Sequence, residues 1–273
     1  MLERIFSRFR LHKRIVTRKI TSSNKNAAAV SDRQSLLPDF NQQALEQAKI
    51  ILIGAGGIGS EFAEGLVRKG VGELVIYDHD TIELSNLNRQ HFFQQDIGKN
   101  KGVRLAKNIA KHATCGTILH GYGYSFQDAV VLKHDLNTDI VVCGVDNSIA
   151  RTAVSAYYRT RGIPVVFIAV DYMAEQGYVF VQELNGPCFG CAFPSCLEKR
   201  KAPCRTPAVK DILKVVAGIG LYAIDSLLMN RKRNWNYRNI HLAGFAPSNE
   251  LSIAINEKCP LCSKFKKLDI ERI

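Results

Sequence analysis

At 273 residues with 46% hydrophobic content, the chain is long enough to bury a full core as one large α/β domain with appendages. Its net charge of +12 is unevenly placed: residues 1–33 hold nine Lys/Arg against Glu3 and Asp32, so +7 sits in an N-terminal arm and +5 is spread over the other 240 residues. The start is charged throughout and lacks an apolar core, so no secretory signal peptide is expected, and the absence of a run of about 18 apolar residues argues against a membrane span, so a soluble cytoplasmic protein with no nucleic-acid partner is expected.

In the arm, Leu2, Ile5, Phe6 and Phe9 fall at helical spacing opposite Arg4, Arg8 and Arg10, which predicts a basic amphipathic helix within residues 1–19. Such a helix could meet an acidic partner, a membrane surface or an import receptor, and a solvated extension satisfies the same pattern. Membrane contact has no support beyond the charge. TSSNKNAAAVSD, residues 21–32, reads as a linker, so 1–32 form an arm and 33–273 the folded domain.

From residue 49, short apolar runs alternate with helical segments: KIILIG, a helix near 58–69, ELVIYD, a helix near 99–113, TILHGYGY, DIVVCGV, a helix near 148–161, and VVFIAV. That alternation predicts a parallel sheet wound with helices. After Asp171 come GYVFVQE, a cysteine-rich loop, a helix from about 207 to 230, IHLAGF and LSIAIN, read either as an antiparallel extension of the same sheet or as a separate lobe. The apolar segment ILKVVAGIGLYAI, interrupted by Lys214, reads as too short to span a membrane.

The first strand runs into GAGGIG, where Gly54, Gly56 and Gly59 open a helix whose N-terminus can hold phosphate oxygens. Asp78 ends the next strand about twenty residues on, where a carboxylate can accept from ribose hydroxyls. A nicotinamide-dependent dehydrogenase fits equally well to this point. The next segment, DHDTIELSNLNRQHFFQQDIGKNKG, has no use in a dehydrogenase.

With that segment the chain resembles the ThiF, MoeB and HesA superfamily, the ubiquitin-activating-enzyme-like adenylyltransferases. The motifs that carry the resemblance are GAGGIG, Asp78-His79-Asp80, Ser85-Asn86-Leu87-Asn88-Arg89-Gln90, Gly98-Lys99-Asn100-Lys101 and Asp146-Asn147, within about residues 33–262. The resemblance implies a Rossmann-like, mostly parallel sheet continued by antiparallel strands and a zinc-stapled C-terminal part, with 33–273 as an adenylation domain. It also implies ATP and Mg²⁺ as cofactors. The expected nucleotide site comprises Gly54, Gly56, Gly57, Gly59, Asp78, Asp80, Asn86, Arg89, Gln90, Lys101, Asp146 and Asn147. Asp78 would take the ribose, Asn86 would help to hold the phosphates, Arg89 and Lys101 would offset triphosphate charge, and Asp146 would hold Mg²⁺. Gly57 beside Gly56 would let the backbone approach the nucleotide closely. Arg33, in SDRQSLLPDF, resembles the arginine that members supply to a dimer partner's phosphates, which implies a homodimer.

Cys188-Phe-Gly-Cys191 and Cys259-Pro-Leu-Cys262 are two CxxC knuckles that together complete a tetrahedral Zn²⁺ site. Four thiolates leave no open position, which favours a structural metal over a catalytic one. A redox dithiol is the alternative. Cys115 and Cys143 read as packing residues. By resemblance, Cys204, just before the long late helix, stands where some members capture the activated acyl group, and Arg205 and Lys201 would favour its thiolate.

The expected activity is ATP-dependent adenylation of the C-terminal carboxylate of a small ubiquitin-like or sulfur-carrier protein, followed by transfer to a cysteine or a sulfur donor. Microcin-type adenylation of a peptide and a non-catalytic half of a heterodimer are the alternatives.

Overall fold

The computed structural model describes residues 11–20, 30–197, 208–244 and 247–262. Among them, nine strands form one sheet: β1 (His12–Val16), β2 (Lys49–Ile53), β3 (Glu73–Tyr77), β4 (Ile118–Tyr122), β5 (Ile140–Cys143), β6 (Val165–Val170), β7 (Gln176–Gln182), β8 (Tyr237–His241) and β9 (Asn249–Leu251). Their spatial order is β1-β4-β3-β2-β5-β6-β7-β8-β9. The central five, β4-β3-β2-β5-β6, are parallel, whereas β1 joins β4 antiparallel and β7 to β9 continue the far side antiparallel. The second half is therefore an extension of the same sheet, not a separate lobe. Chain order reverses between β2, whose successor β3 lies on one side, and β5 on the other. A sheet reversing in this way leaves a crevice beyond the carboxyl ends of its strands.

The helices are α1 (Asp32–Ser35), α2 (Gln42–Gln47), α3 (Gly57–Lys69), α4 (Lys101–Ile109), α5 (Phe126–Val131), α6 (Ser148–Arg159), α7 (Phe189–Ala192) and α8 (Lys210–Met229). Strand residues alternate between two cores, as a period of two requires. Ile50, Leu52, Leu74, Ile76, Val142 and Ile168 face one core, and Ile51, Ile53, Val75, Val141, Cys143 and Phe167 face the other. Burial on both faces explains why these strands read as unbroken apolar runs.

Two local expectations fail. Residues 12–16 are an edge strand rather than part of a helix, because they pair with β4 from His12↔Tyr122 to Val16↔Ile118, and Ile15 packs on the core. The part of the proposed arm helix before residue 11 lies outside the described residues. The late helix α8 runs 20 residues, within the expected 207–230, and is by length and composition apolar enough to cross a membrane, whereas the sequence reading took its apolar segment as too short to do so. Its apolar face is instead packed on α3, β6 and β7. Glycines bring α3 and α8 close: a Cβ on Gly57 would lie 2.6 Å from Leu213, on Gly65 2.4 Å from Leu221, and on Gly220 2.6 Å from Phe62. Asp225, buried late in α8, is ion-paired with Lys69 and with Arg231, whose Nη1 lies 3.5 Å away. Such a buried carboxylate needs its counter-charges.

Candidate nucleotide site

The crevice at the strand reversal is a cleft of about 1230 Å³, larger than the roughly 300–1,000 Å³ usual for a small-molecule pocket. Its lining includes Gly54, Gly56, Gly57, Asp78, Asp80, Asn86, Arg89, Gln90, Lys101, Asp146 and Asn147. Of the residues expected at the nucleotide, all but Gly59 line it. Gly59 acts one layer beneath: a Cβ there would fall 2.0 Å from the Gly54 carbonyl oxygen, so its absence lets α3 close onto the turn. Gly54 has φ +101°, open to glycine and strained for other residues. Gly57 borders the cleft, but the space its missing Cβ leaves is taken by Leu213, so helix packing already accounts for this glycine.

One wall is the segment from β3 to α4. Asp78 is buried, and its Oδ2 accepts from the Ala55 N–H at 2.6 Å while Oδ1 accepts from the Asp80 N–H at 2.8 Å. Burial, with the neighbouring Asp80 charge adding, pushes its carboxyl above the usual range, against the opposing effect of those N–H donors and Lys101. Both oxygens are thus oriented from below. Asn100 caps α4 by accepting from the Val103 N–H at 2.9 Å and donates to the Asp78 carbonyl at 2.9 Å and the Asp80 carbonyl at 3.2 Å. A Cβ on Gly102 would lie 2.4 Å from the Tyr122 carbonyl oxygen, so glycine there lets α4 start hard against the sheet. This fixes Lys101, whose side chain is only 11% exposed and whose ammonium lies 3.0 Å from Asp80 Oδ2. Asn86 is buried and accepts from the Glu83 N–H at 3.0 Å, and Arg89 donates from Nη1 to the Ser85 carbonyl at 2.6 Å and to Asn88 Oδ1 at 2.8 Å.

The opposite wall is the β5–α6 loop. Asp146 is exposed there. Asn147 lines the cleft too, but its Oδ1 accepts from the Ala150 N–H at 2.7 Å, so the side chain caps α6. Arg151 and Gly102 do not figure in the sequence reading, and Asn100 figures there only as a member of the Gly98-Lys99-Asn100-Lys101 motif, with no role assigned. Arg151 donates from Nε to the Val145 carbonyl at 2.9 Å and from Nη1 to the Tyr178 hydroxyl at 2.7 Å. Its signal was only an arginine five residues after Asp146.

Arg33 does not reach the cleft of its own chain. It is exposed on α1, whose Gln34 donates to the Lys69 carbonyl at the C-terminal end of α3, whereas the cleft holds the N-terminal end of α3, about 18 Å away at 1.5 Å per residue. Cys204 lies outside the described residues.

The four expected metal ligands come together: Sγ–Sγ distances are 3.7 Å for Cys188–Cys191, 3.6 Å for Cys188–Cys259, 3.4 Å for Cys191–Cys262 and 3.3 Å for Cys188–Cys262. All four are buried. These spacings are far longer than the roughly 2.05 Å of a disulfide and close to the roughly 3.8 Å edge of a tetrahedron with metal–sulfur bonds near 2.3 Å. The donor set therefore fits Zn²⁺. The Asn256 N–H lies 3.4 Å from Cys191 Sγ as an outer donor. Cys143 is fully buried, its thiol pushed up to about 11 by burial, as a packing residue would be.

Comparison with known proteins gives the family. The chain is 28% identical over 242 residues to the sulfur carrier protein adenylyltransferase of Thermus thermophilus, covering 84% of this chain and 89% of that one. It is 33% identical over 192 residues to the adenylyltransferase and sulfurtransferase MOCS3-1 of Zea mays, covering 68% of this chain but 40% of that protein, so it spans less than half of that longer relative. It is 31% identical over 179 residues to the SAMP-activating enzyme E1 of Haloferax volcanii, covering 65% of each. In fold it is similar to E. coli MccB crystallised with ATP, with a TM-score of 0.72 at 20% identity over 88% of this chain and 75% of that one. The ThiF family pattern matches residues 28–262, and the chain belongs to the ThiF family.

Proposed function

We propose that this chain adenylates the C-terminal carboxylate of a small ubiquitin-like or sulfur-carrier protein, consuming ATP and releasing pyrophosphate. The observation that carries the reading is the convergence of Asp78, Arg89, Lys101 and Asp146 on one cleft at the N-terminus of α3. The names of the relatives support the same chemistry. Asp78, its oxygens aligned by two backbone N–H groups, accepts from the ribose hydroxyls. The first turn of α3 faces the phosphates. Asn86 and Gln90 bind along the nucleotide, and Arg89 and Lys101 counter the charge that grows on the pyrophosphate as it leaves. A carboxylate oxygen of the carrier attacks the α-phosphorus while the bond to the bridging oxygen breaks. Asp146 is the residue that would hold Mg²⁺, which when bound neutralises phosphate charge. The four cysteines would hold a structural Zn²⁺ that fastens the tail to the domain, and Cys204 would capture the activated acyl group.

ATP–pyrophosphate exchange with candidate carriers tests the reading. Exchange is expected with the cognate carrier and should collapse in Arg89→Ala and Lys101→Ala. Exchange that survives both substitutions would overturn the assignment. Cys204→Ala should keep exchange and lose transfer, and a variant that loses neither argues for peptide modification or for direct transfer.

A homodimer is part of the proposal, because Arg33 lies too far from its own cleft to serve it. Mixing Arg33→Ala with Lys101→Ala protomers should recover about a quarter of wild-type activity, since half of the random dimers carry one intact site. Recovery no greater than the two variants show apart would remove Arg33 from the site.

A further inference from the structure

We infer that Arg151 is a positioning residue that holds the Asp146 loop in the geometry its magnesium role requires, with Tyr178 as its anchor; this rests on the function proposed above. Asp146 sits on the short connection between β5 and α6, and among the described residues its carboxylate makes no hydrogen bond or ion pair. Its place is therefore set by the backbone on either side, and one residue grips both sides. The Arg151 side chain donates from Nε to the Val145 carbonyl at 2.9 Å, and the Arg151 backbone N–H donates to the Asn147 carbonyl at 3.3 Å. The second bond belongs to the start of α6 and survives any substitution except proline. The first depends on the guanidinium.

The guanidinium is itself fixed. Its Nη1 donates to the Tyr178 hydroxyl at 2.7 Å, and its carbon lies 5.9 Å from the Tyr178 ring centre. Tyr178 is on β7, paired with Ala169 of β6, and its ring packs 4.7 Å from Phe193 and 5.8 Å from Tyr237. Burial pushes its hydroxyl up to about 12, so it stays a neutral acceptor for Arg151 at working pH. A loop carbonyl and a core phenol are thus bridged by one rigid planar group, which a lysine ammonium on a flexible stem cannot reproduce. Outer groups that orient a metal-binding side chain typically matter 10–100-fold.

The alternative is that Arg151, which also borders the cleft, simply contributes positive charge to the phosphates. Titration calorimetry of ATP, in EDTA and then in magnesium chloride, separates the two. Positioning predicts that Arg151→Ala keeps its affinity in EDTA but loses on the order of 10–100-fold of the gain that Mg²⁺ gives the wild type. Arg151→Lys should lose as much, and Tyr178→Phe, which keeps the half-buried ring and should fold, should lose less in the same direction. Weakened binding of Arg151→Ala in EDTA, recovery in Arg151→Lys, or an unchanged magnesium gain would each overturn the inference. The wild type supplies the control: no ATP binding would defeat the proposed function itself, and ATP binding that gains nothing from Mg²⁺ would defeat the role of Asp146 and this inference with it.

Discussion

The cysteine cluster and the nucleotide cleft are built on opposite plans. The cluster draws its ligands from two segments with 67 residues between them, buries all four, and brings their sulfurs within 4.8 Å of one another. The cleft takes its residues from loops at the ends of β2, β3 and β5, spends backbone groups and capping side chains on holding those loops, and leaves charged ends at the opening. Asp80 is 53% exposed and Asp146 is exposed outright. A closed donor set can fasten but has no vacancy for a substrate; an open one needs outside support to keep its shape.

The largest expected effect lies in the cluster. Structural zinc in small domains contributes on the order of 10 kcal/mol to folding, but here the metal would tie down only α7 and the segment ending at Cys262. Chelation or Cys262→Ser should therefore abolish amide-exchange protection around residues 188–192 and 256–262 while β2, β3 and β5 stay protected. Equal loss everywhere would show the cluster to be part of the global fold, and no loss on chelation would show that it holds no metal.

The next effect is in the cleft. Lys101→Ala removes a cation held in place by Asn100 and Gly102, and should lower the exchange rate about 10²–10³-fold with little change in melting temperature. A large drop in stability would mean that the lysine serves the fold, as the cysteines do. Asp80→Ala is the smaller companion. Its ion pair with Lys101 is half exposed, so stability should change by no more than about 1 kcal/mol, and the readout is whether exchange activity falls with it.

These regions were not equally legible in the sequence. The glycine turn, Asp78, Arg89, Lys101 and Asp146 could be expected because they stand in the family's ordered motifs, which follow β2, β3 and β5. The two knuckles could be read because thiol chemistry leaves few alternatives to a metal. The roles of Arg151, Asn100 and Gly102 could not, since they lie in touching Val145, Asp78 and Tyr122, which are close only after folding. Gly57 was assigned to the nucleotide where Leu213 supplies a sufficient reason. The apolar run of α8 was underestimated because Lys214 reads as an interruption, while the contacts of α8 with α3, β6 and β7 join residues far apart in sequence. The strand His12–Val16 was missed for the same kind of reason: its partner in β4 lies about a hundred residues away, and a helical pattern in the residues before it was extended across it.

That edge strand gives the smallest prediction and the one most particular to this sheet. His12 stacks on Tyr122 at 4.2 Å between ring centres, and its Nε2 lies 3.3 Å from His120 Nδ1. Tyr122 also stacks on Tyr77 at 5.0 Å, and the Tyr77 hydroxyl lies 3.2 Å from His134 Nδ1. Burial lowers the affinity of His12, His120 and His134 for protons, and for His12 the other two histidines add to it. Arg14 and Lys49 lower His120 further, against the opposing Glu73. Because the folded values lie below the unfolded ones, the unfolded chain binds more protons in the window beneath about pH 6.5. The stabilisation is complete above that pH and is lost as pH falls towards the folded values. Amide protection of β1 should decline on acidification through this window ahead of β2 and β3, and His12→Phe, which keeps a ring over Tyr122 but cannot be protonated, should lessen that decline. Protection of β1 that falls in step with β2, or an unaltered pH dependence in His12→Phe, would place the titration elsewhere and leave the ladder to β4 as the whole of what holds the strand.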